Sequence, residues 1–144
     1  MSHKKHTFSS LNAFSKLLLD YLAEKPALQE FYGNGPQLSK FKDQISKKKG
    51  FSASSRAVLQ SVLTEQYEAI GAEMPSVNLG DENTFTVTTG HQLTIYTGPL
   101  YVIYKLVSTI NLARALSAAY PSQRFVPVYW MATEDHDFEE INHF

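Results

Sequence analysis

The stretch "TTGHQLTIYTGPLYVIYK", Thr88 to Lys105, joins a strand-like run to a long helical run and thereby sets the architecture of this chain. Just upstream, "NTFTVTTG" alternates apolar and polar residues, with Phe85 and Val87 on one face, which predicts a β-strand. Downstream, apolar residues recur at helical spacing from Pro99 to about Ala119, and proline is favoured at a first helical position.

A second strand is predicted from "RFVPVYWMA", residues 124–132. Such a continuous apolar run is typical of a parallel strand buried on both faces, so we expect Tyr129 and Trp130 in the core. Pro127 argues mildly against a central position, because it has no N–H to donate to a neighbouring strand. Strand, crossover helix and strand together predict one βαβ unit over residues 84–132, and hence an α/β fold.

The first half of the chain is predicted to be helical. Apolar residues recur at helical spacing over residues 11–22, and a polar, lysine-rich segment over 37–50 reads as a solvated helix face. Residues 52–71 predict a further helix, with Ser54 or Ser55 as its N-cap. Its predicted apolar stripe consists of Val58, Leu59, Val62, Leu63, Tyr67 and Ile70.

Composition excludes several classes of protein. Apolar residues make up 43% of the 144 residues and the formal charge is −1, so bulk charge does not indicate binding to nucleic acid or to a membrane. With no cysteine, neither disulfides nor a cysteine-ligated zinc site can form. Neither a signal peptide nor a membrane-spanning run is recognisable, so we predict a soluble, cytoplasmic protein.

The first candidate site is the connection between the predicted strand and helix, residues 89–98. A strand that enters a helix through a glycine-containing loop directs free N–H groups and the positive end of the helix dipole to one point, which suits a phosphate or carboxylate. The alternative is a purely structural connection, and neither nucleotide-binding glycine motif is matched. The candidate substrate-binding residues here are Thr89, Gly90, His91, Gln92, Thr97, Gly98 and Pro99, with Tyr101 and Lys105 in the following helix.

The second candidate site, "TEDHDFEE", follows the second predicted strand. Acidic residues in a first helical turn are ordinary capping chemistry, which accounts for Glu134 and Asp135. Capping accounts less well for His136. If Asp135 and Asp137 lie close to it, they would raise the pKa of the imidazole, which could then act as a general base or acid. Because ligands bind at the carboxyl ends of parallel strands, we expect both loops to face one site.

A metal site is the alternative interpretation of the second loop. His136, Glu140 and His143 lie on one predicted helix face, and a metal-dependent hydrolase could use them. Their spacing differs from the H-E-x-x-H pattern, so we assign no metal. A third alternative is a non-catalytic helical module whose loops are only structural.

Both loops closely resemble one family, the cysteine-adding enzymes of bacillithiol biosynthesis. The stretches T-G-P-L-Y-x-I-Y-K and E-D-H-D-F-E-E-x-N-H match, whereas His91 stands where the family commonly has glutamine. The early "FSKLLLDYL" and "LQEFYG" are also similar, so the resemblance covers most of the chain. Because members are several times longer and the chain stops inside a helical pattern, we expect a truncated, N-terminal portion that is inactive by itself.

The resemblance implies a Rossmann-like fold related to class I nucleotidyltransferases. It implies a helical region over residues 1–76 and the start of an incomplete core over 77–144. The implied activity is that of a ligase that joins cysteine to the amino group of glucosaminyl malate. The resemblance also implies that full-length members contain a coiled coil and can form a homodimer. ATP or another nucleotide would fit that fold by analogy. Under this resemblance His136, Asp135 and Asp137 are catalytic, and Glu134, Asn142 and His143 join the substrate-binding residues.

Overall fold

A computed structural model describes residues 4–134 of the chain. The helices are α1 (Lys16–Leu22), α2 (Phe41–Lys48), α3 (Ala53–Ala69) and α4 (Leu100–Ala119), and the strands are β1 (Thr84–Gln92) and β2 (Arg124–Ala132). Short 3-10 helices lie at Phe8–Leu11, Pro26–Phe31 and Leu38–Lys40. The described residues form two compact units that divide after Lys47. The predicted domain boundary at residues 76 and 77 stays a prediction.

The first unit contains α1 and most of α2. Helix α1 begins later than its apolar pattern predicts, because the Ser15 side chain accepts a hydrogen bond from the Leu18 N–H and so caps the helix there. Tyr21 and Tyr32 pack edge to face, with ring centroids 5.0 Å apart. Ile45 is the buried residue of α2, so the lysine-rich segment forms a helix that is largely solvated.

The second unit begins with α3, whose N-cap differs from the prediction. Ser52, rather than Ser54 or Ser55, caps the helix, and its Oγ accepts from the Ser55 N–H at 3.1 Å. The predicted apolar stripe is only partly the covered face. Leu59, Leu63 and Tyr67 are half-buried on the side of the buried Arg56, whereas Val58, Val62 and Ile70 are exposed.

Arg56 fastens α3 to the segment that leads into β1. Its Nη1 donates to the carbonyl oxygens of Leu79 at 3.1 Å, Asp81 at 3.0 Å and Thr84 at 2.9 Å. The side chain is 6% exposed, and the guanidinium lies 5.5 Å from the centre of the Phe51 ring. A buried backbone carbonyl without a donor is costly, so the guanidinium stabilises this turn by donating to the buried Leu79 and Thr84 oxygens. The Asp81 oxygen also accepts from the Thr84 N–H at 3.0 Å.

The predicted βαβ unit is present. Strands β1 and β2 pair in parallel, from Thr84 opposite Arg124 to Gln92 opposite Ala132, and α4 packs against both. Strand β1 continues to Gln92, so the connecting loop is shorter than predicted. Pro99 is the N-cap residue of α4 rather than its first helical residue, with φ −68° and ψ 153°.

The core of the second unit lies at the amino-terminal ends of the strands. Phe85 and Phe125 are buried and stack with ring centroids 5.9 Å apart, and Thr84 beside them is 2% exposed. Helix α4 covers this end. Its buried residues Ala113 and Leu116 lie in its carboxyl-terminal half, whereas the buried Val102 lies in its first turn, near the other end of the strands.

The carboxyl-terminal half of β2 contradicts the prediction of a strand buried on both faces. Tyr129 and Met131 are exposed and Trp130 is 60% exposed. Two strands and one helix cannot cover both faces of a sheet, which is the physical reason. A second apolar row on α4 is exposed as well: Leu100, Ile103, Val107 and Ile110. Within residues 4–134, no helix is both long and apolar enough to cross a membrane.

Candidate functional site

The candidate site lies where β1 and β2 end and α4 begins. Because the strands are parallel and in register, Gln92 pairs with Ala132, and both loops leave the sheet from neighbouring positions. This is the edge at which parallel sheets bind ligands. The predicted site residues Thr89 to Gln92 therefore belong to the end of β1, not to the loop.

His91 links the end of β1 to the first turn of α4. Its Nε2 lies 2.5 Å from the Tyr101 hydroxyl, and its Nδ1 lies 2.9 Å from the backbone oxygen of Gln92. The two rings are tilted by 56°, with centroids 5.2 Å apart. The imidazole is thus held at both nitrogens, and the phenol is held over the strand end.

Lys105 forms a second link between helix and strand. Residues four apart share a helix face, so Lys105 lies one turn beyond Tyr101 on the same side. Its Nζ donates to the Gly90 carbonyl oxygen and lies 6.0 Å from the centre of the Tyr101 ring. Lys105 forms no ion pair with a carboxylate between residues 4 and 134, where Lys16 and Asp20 form the ion pair of the structure.

The turn before α4 has an unusual backbone. Tyr96, Thr97 and Gly98 have φ angles of 51°, 73° and 67°, the left-handed region that β-branched residues such as Thr97 rarely adopt. A Cβ on Gly98 would lie 2.8 Å from the Cβ of Thr94, so the side of Gly98 that lacks a side chain faces Thr94. This packing favours the structural interpretation of Gly98 over close approach by a ligand.

Gly90 has a different reason to be glycine. It pairs with Trp130 across the ladder, and a Cβ here would lie 3.0 Å from the Trp130 backbone oxygen and 3.2 Å from its Cβ. The residue allows β2 to approach closely at the point where the Gly90 carbonyl also receives Lys105.

Similarity to a known family shows to which family the chain belongs. The sequence model of the family described as "Bacillithiol biosynthesis BshC, N-terminal Rossmann-like domain" matches residues 1–144. The chain belongs to this family. Its fold class is therefore Rossmann-like α/β, as the βαβ pattern and the resemblance predict.

Relatives in the BshC family share about half of the residues. Proteins named "Putative cysteine ligase BshC" are 53% identical over 137 residues in Flavobacterium psychrophilum and 50% identical over 143 residues in Christiangramia forsetii. The same name belongs to a relative from Cytophaga hutchinsonii that is 41% identical. The matches cover 91%, 96% and 91% of this chain but only 26%, 27% and 26% of the relatives, so the chain spans about a quarter of their length.

The second loop of this BshC-family chain is described only at its start. Thr133 and Glu134 form an exposed turn directly after β2, next to the end of β1. The other predicted residues of this loop lie outside the described range: Asp135, His136, Asp137, Glu140, Asn142 and His143. Inside that range, no group of three histidine or acidic side chains is placed to hold a metal ion.

The sequence patterns do not identify two residues that lie at the site. Tyr96, at the tip of the turn, is 87% exposed and holds a left-handed backbone conformation. Its position inside "TIYTGP", a turn-forming sequence, is the signal that could have identified it. The apolar run of β2 predicts Trp130 in the core, yet its backbone packs against Gly90 and its side chain is exposed beside the site.

Proposed function

We propose that this chain forms the amino-terminal part of a cytoplasmic ligase that joins cysteine to the amino group of glucosaminyl malate in bacillithiol synthesis. The observation that carries the proposal is the family match along all 144 residues, together with relatives named as cysteine ligases. The position of the polar residues at the carboxyl edge of a parallel sheet supports it further.

Lys105 and the start of α4 are proposed to bind a carboxylate of the malate group. Lys105 has a donor bond to Gly90 but no acidic partner between residues 4 and 134, so two of its three N–H groups can serve a ligand. The dipole of α4 adds partial positive charge at its amino terminus in the same region. No side chain caps this end, since Pro99 is the N-cap residue. A dicarboxylate would meet positive charge from both.

His136 is proposed as the base that removes a proton from the sugar amine, with Asp135 and Asp137 beside it in sequence. An amine attacks an activated carboxyl carbon only when its nitrogen lone pair is free, and it loses a proton as the amide forms and the activating group leaves, so a nearby base that takes this proton speeds the reaction. Glu134, which begins this loop, lies two residues beyond Ala132, the partner of Gln92 at the end of β1.

A nucleotide would activate the cysteine carboxyl in an ATP-dependent ligase. The described residues fit such a group poorly, because the open side of Gly98 is filled by Thr94 and neither phosphate-binding motif occurs. We therefore assign the described residues to substrate binding and route no step through a nucleotide.

The test is formation of the cysteine adduct by the native gene product, purified without a tag. The protein is incubated with cysteine, glucosaminyl malate and ATP, and the product is measured by mass spectrometry. We expect a product that contains both substrates and a turnover that falls about 100-fold in His136→Ala. Absence of product from folded, metal-free and metal-supplemented protein would overturn the proposal, and product from His136→Ala at the normal rate would overturn the role of His136.

A further inference from the structure

The donor and the acceptor can be assigned for both hydrogen bonds of the neutral His91 ring. A backbone carbonyl can only accept, so the 2.9 Å contact between His91 Nδ1 and the Gln92 oxygen requires the proton on Nδ1. In the neutral imidazole Nε2 then carries a lone pair. At 2.5 Å from that nitrogen, the Tyr101 hydroxyl must be the donor.

This direction decides what the Tyr101 oxygen can offer to a ligand. Its one hydrogen is committed to His91, so the rest of the phenol oxygen presents lone pairs. Tyr101 is 53% exposed, and within residues 4–134 its hydroxyl has no partner besides His91. The exposed side of this oxygen therefore accepts hydrogen bonds, and a carboxylate, which only accepts, does not fit there.

We propose that Tyr101, held by His91, accepts a hydrogen bond from the sugar amine of glucosaminyl malate in its neutral form. The Lys105 ammonium lies 6.0 Å from the centre of the Tyr101 ring, and a second positive charge beside it is disfavoured. A neutral amine that donates one N–H to Tyr101 keeps its lone pair available for attack. Tyr101 then contacts the nucleophile, and His91 is a positioning residue that acts through Tyr101.

The inference rests on the proposed function and divides the site by polarity. Lys105 takes the acidic end of the substrate, and Tyr101 takes the amine end. Glutamine also offers an oxygen that can accept from a phenol. His91→Gln is therefore the conservative variant, and His91→Leu removes the acceptor at similar size.

The experiment compares the binding of glucosaminyl malate with that of 2-deoxyglucosyl malate, which lacks the amine, by calorimetry on the native gene product. A neutral hydrogen bond is worth about 1 kcal/mol, so we expect the amine to improve binding about fivefold. Tyr101→Phe and His91→Leu should lose that preference, so that the ratio of the two affinities falls to about one. His91→Gln should restore it.

Each other outcome contradicts a specific statement. If the wild-type protein binds both sugars equally, or if Tyr101→Phe keeps the preference, the role of Tyr101 is wrong while the proposed function stands. If cysteine, but not the sugar, shows a preference over 3-mercaptopropionate that Tyr101→Phe removes, Tyr101 binds the other substrate's amine and the inference is overturned. Absence of binding of both sugars overturns the proposed function, and the inference falls with it.

The direction of the hydrogen bond has a separate test that needs no ligand. Nitrogen NMR of the His91 ring distinguishes the two neutral tautomers. We expect the proton on Nδ1, and Tyr101→Phe should shift the Nε2 signal more than the Nδ1 signal. A proton on Nε2 of the neutral ring would overturn the inference.

Discussion

The two ends of the paired strands β1 and β2 are built in opposite ways. At the amino-terminal end Phe85 and Phe125 stack and are buried, Thr84 is covered, and Arg56 fastens the incoming backbone. At the carboxyl-terminal end Trp130 is exposed, and polar links from Tyr101 and Lys105 join α4 to β1 beside the buried Val102. The same two strands thus carry stability at one end and the candidate site at the other.

This difference has a physical reason. Burial of apolar side chains stabilises a fold only where they are removed from water, and helix α4 covers the end that contains Phe85 and Phe125. Ligand binding requires accessible polar groups, which His91, Tyr101 and Lys105 supply at the other end. Substitutions at the two ends should therefore affect different measurements.

Removal of the Arg56 guanidinium should have the largest effect on stability. Arg56→Met keeps the stem but removes the side-chain donor of the buried Leu79 and Thr84 carbonyls, while the Asp81 carbonyl still accepts from the Thr84 N–H. We expect a loss of about 4 kcal/mol in the free energy of unfolding, measured by urea denaturation. The matched control is Arg114→Met on the exposed side of α4, expected within about 0.5 kcal/mol of the parent. Equal midpoints for the two variants would show that Arg56 is not a structural clamp.

Two aromatic residues of β2 compare the ends of the strand directly. Phe125→Ala removes a buried ring and should cost about 3 kcal/mol, whereas Trp130→Ala should cost within about 0.5 kcal/mol because most of that side chain is in water. Thermal unfolding of both variants under the same conditions measures the difference. A cost for Trp130→Ala as large as that for Phe125→Ala would show that the exposed face is covered in the protein as purified.

Two glycines with the same backbone conformation separate strain from crowding. Gly71 and Gly98 have φ angles of 66° and 67°, but a Cβ on Gly71 would meet nothing within 4 Å. We expect Gly71→Ala to cost about 1 kcal/mol from strain alone and Gly98→Ala about 2 kcal/mol, because the Thr94 side chain must also move. Gly98→Val should lose stability and ligand binding together if this glycine is structural. Lost binding with unchanged stability would instead favour close approach of a ligand.

The smallest expected effect concerns binding alone. Lys105→Met should weaken the binding of L-malate about tenfold, because one charge-assisted contact is lost. Lys49→Met, at an exposed position outside the site, serves as the control and should leave binding unchanged. Salt should weaken binding to the parent protein more than binding to Lys105→Met. Equal affinities and salt dependences in all three proteins would remove Lys105 from the site.

Local pattern predicted the elements well where it had a clear period. The alternation around Phe85 and the helical repeat after Pro99 place β1 and α4 correctly, and the break between them falls at the predicted glycine-containing turn. The spacing of apolar residues is less informative about which face of a helix is buried. In α3 the buried residue is Arg56, and in α4 the exposed row includes Leu100 and Val107, because apolar spacing does not reveal which neighbours are present.

The sequence by itself determined the βαβ order, the family and the set of polar residues near the strand ends, because periodicity, turn chemistry and motif similarity are local properties of the chain. Tertiary structure decided the contacts between them. The link from His91 to Tyr101, that from Lys105 to Gly90, and the approach of β2 at Gly90 depend on parallel register and on the packing of α4. Register and packing are set by residues distant in sequence, so the polarity of the candidate site emerges only when helix and strand are brought together.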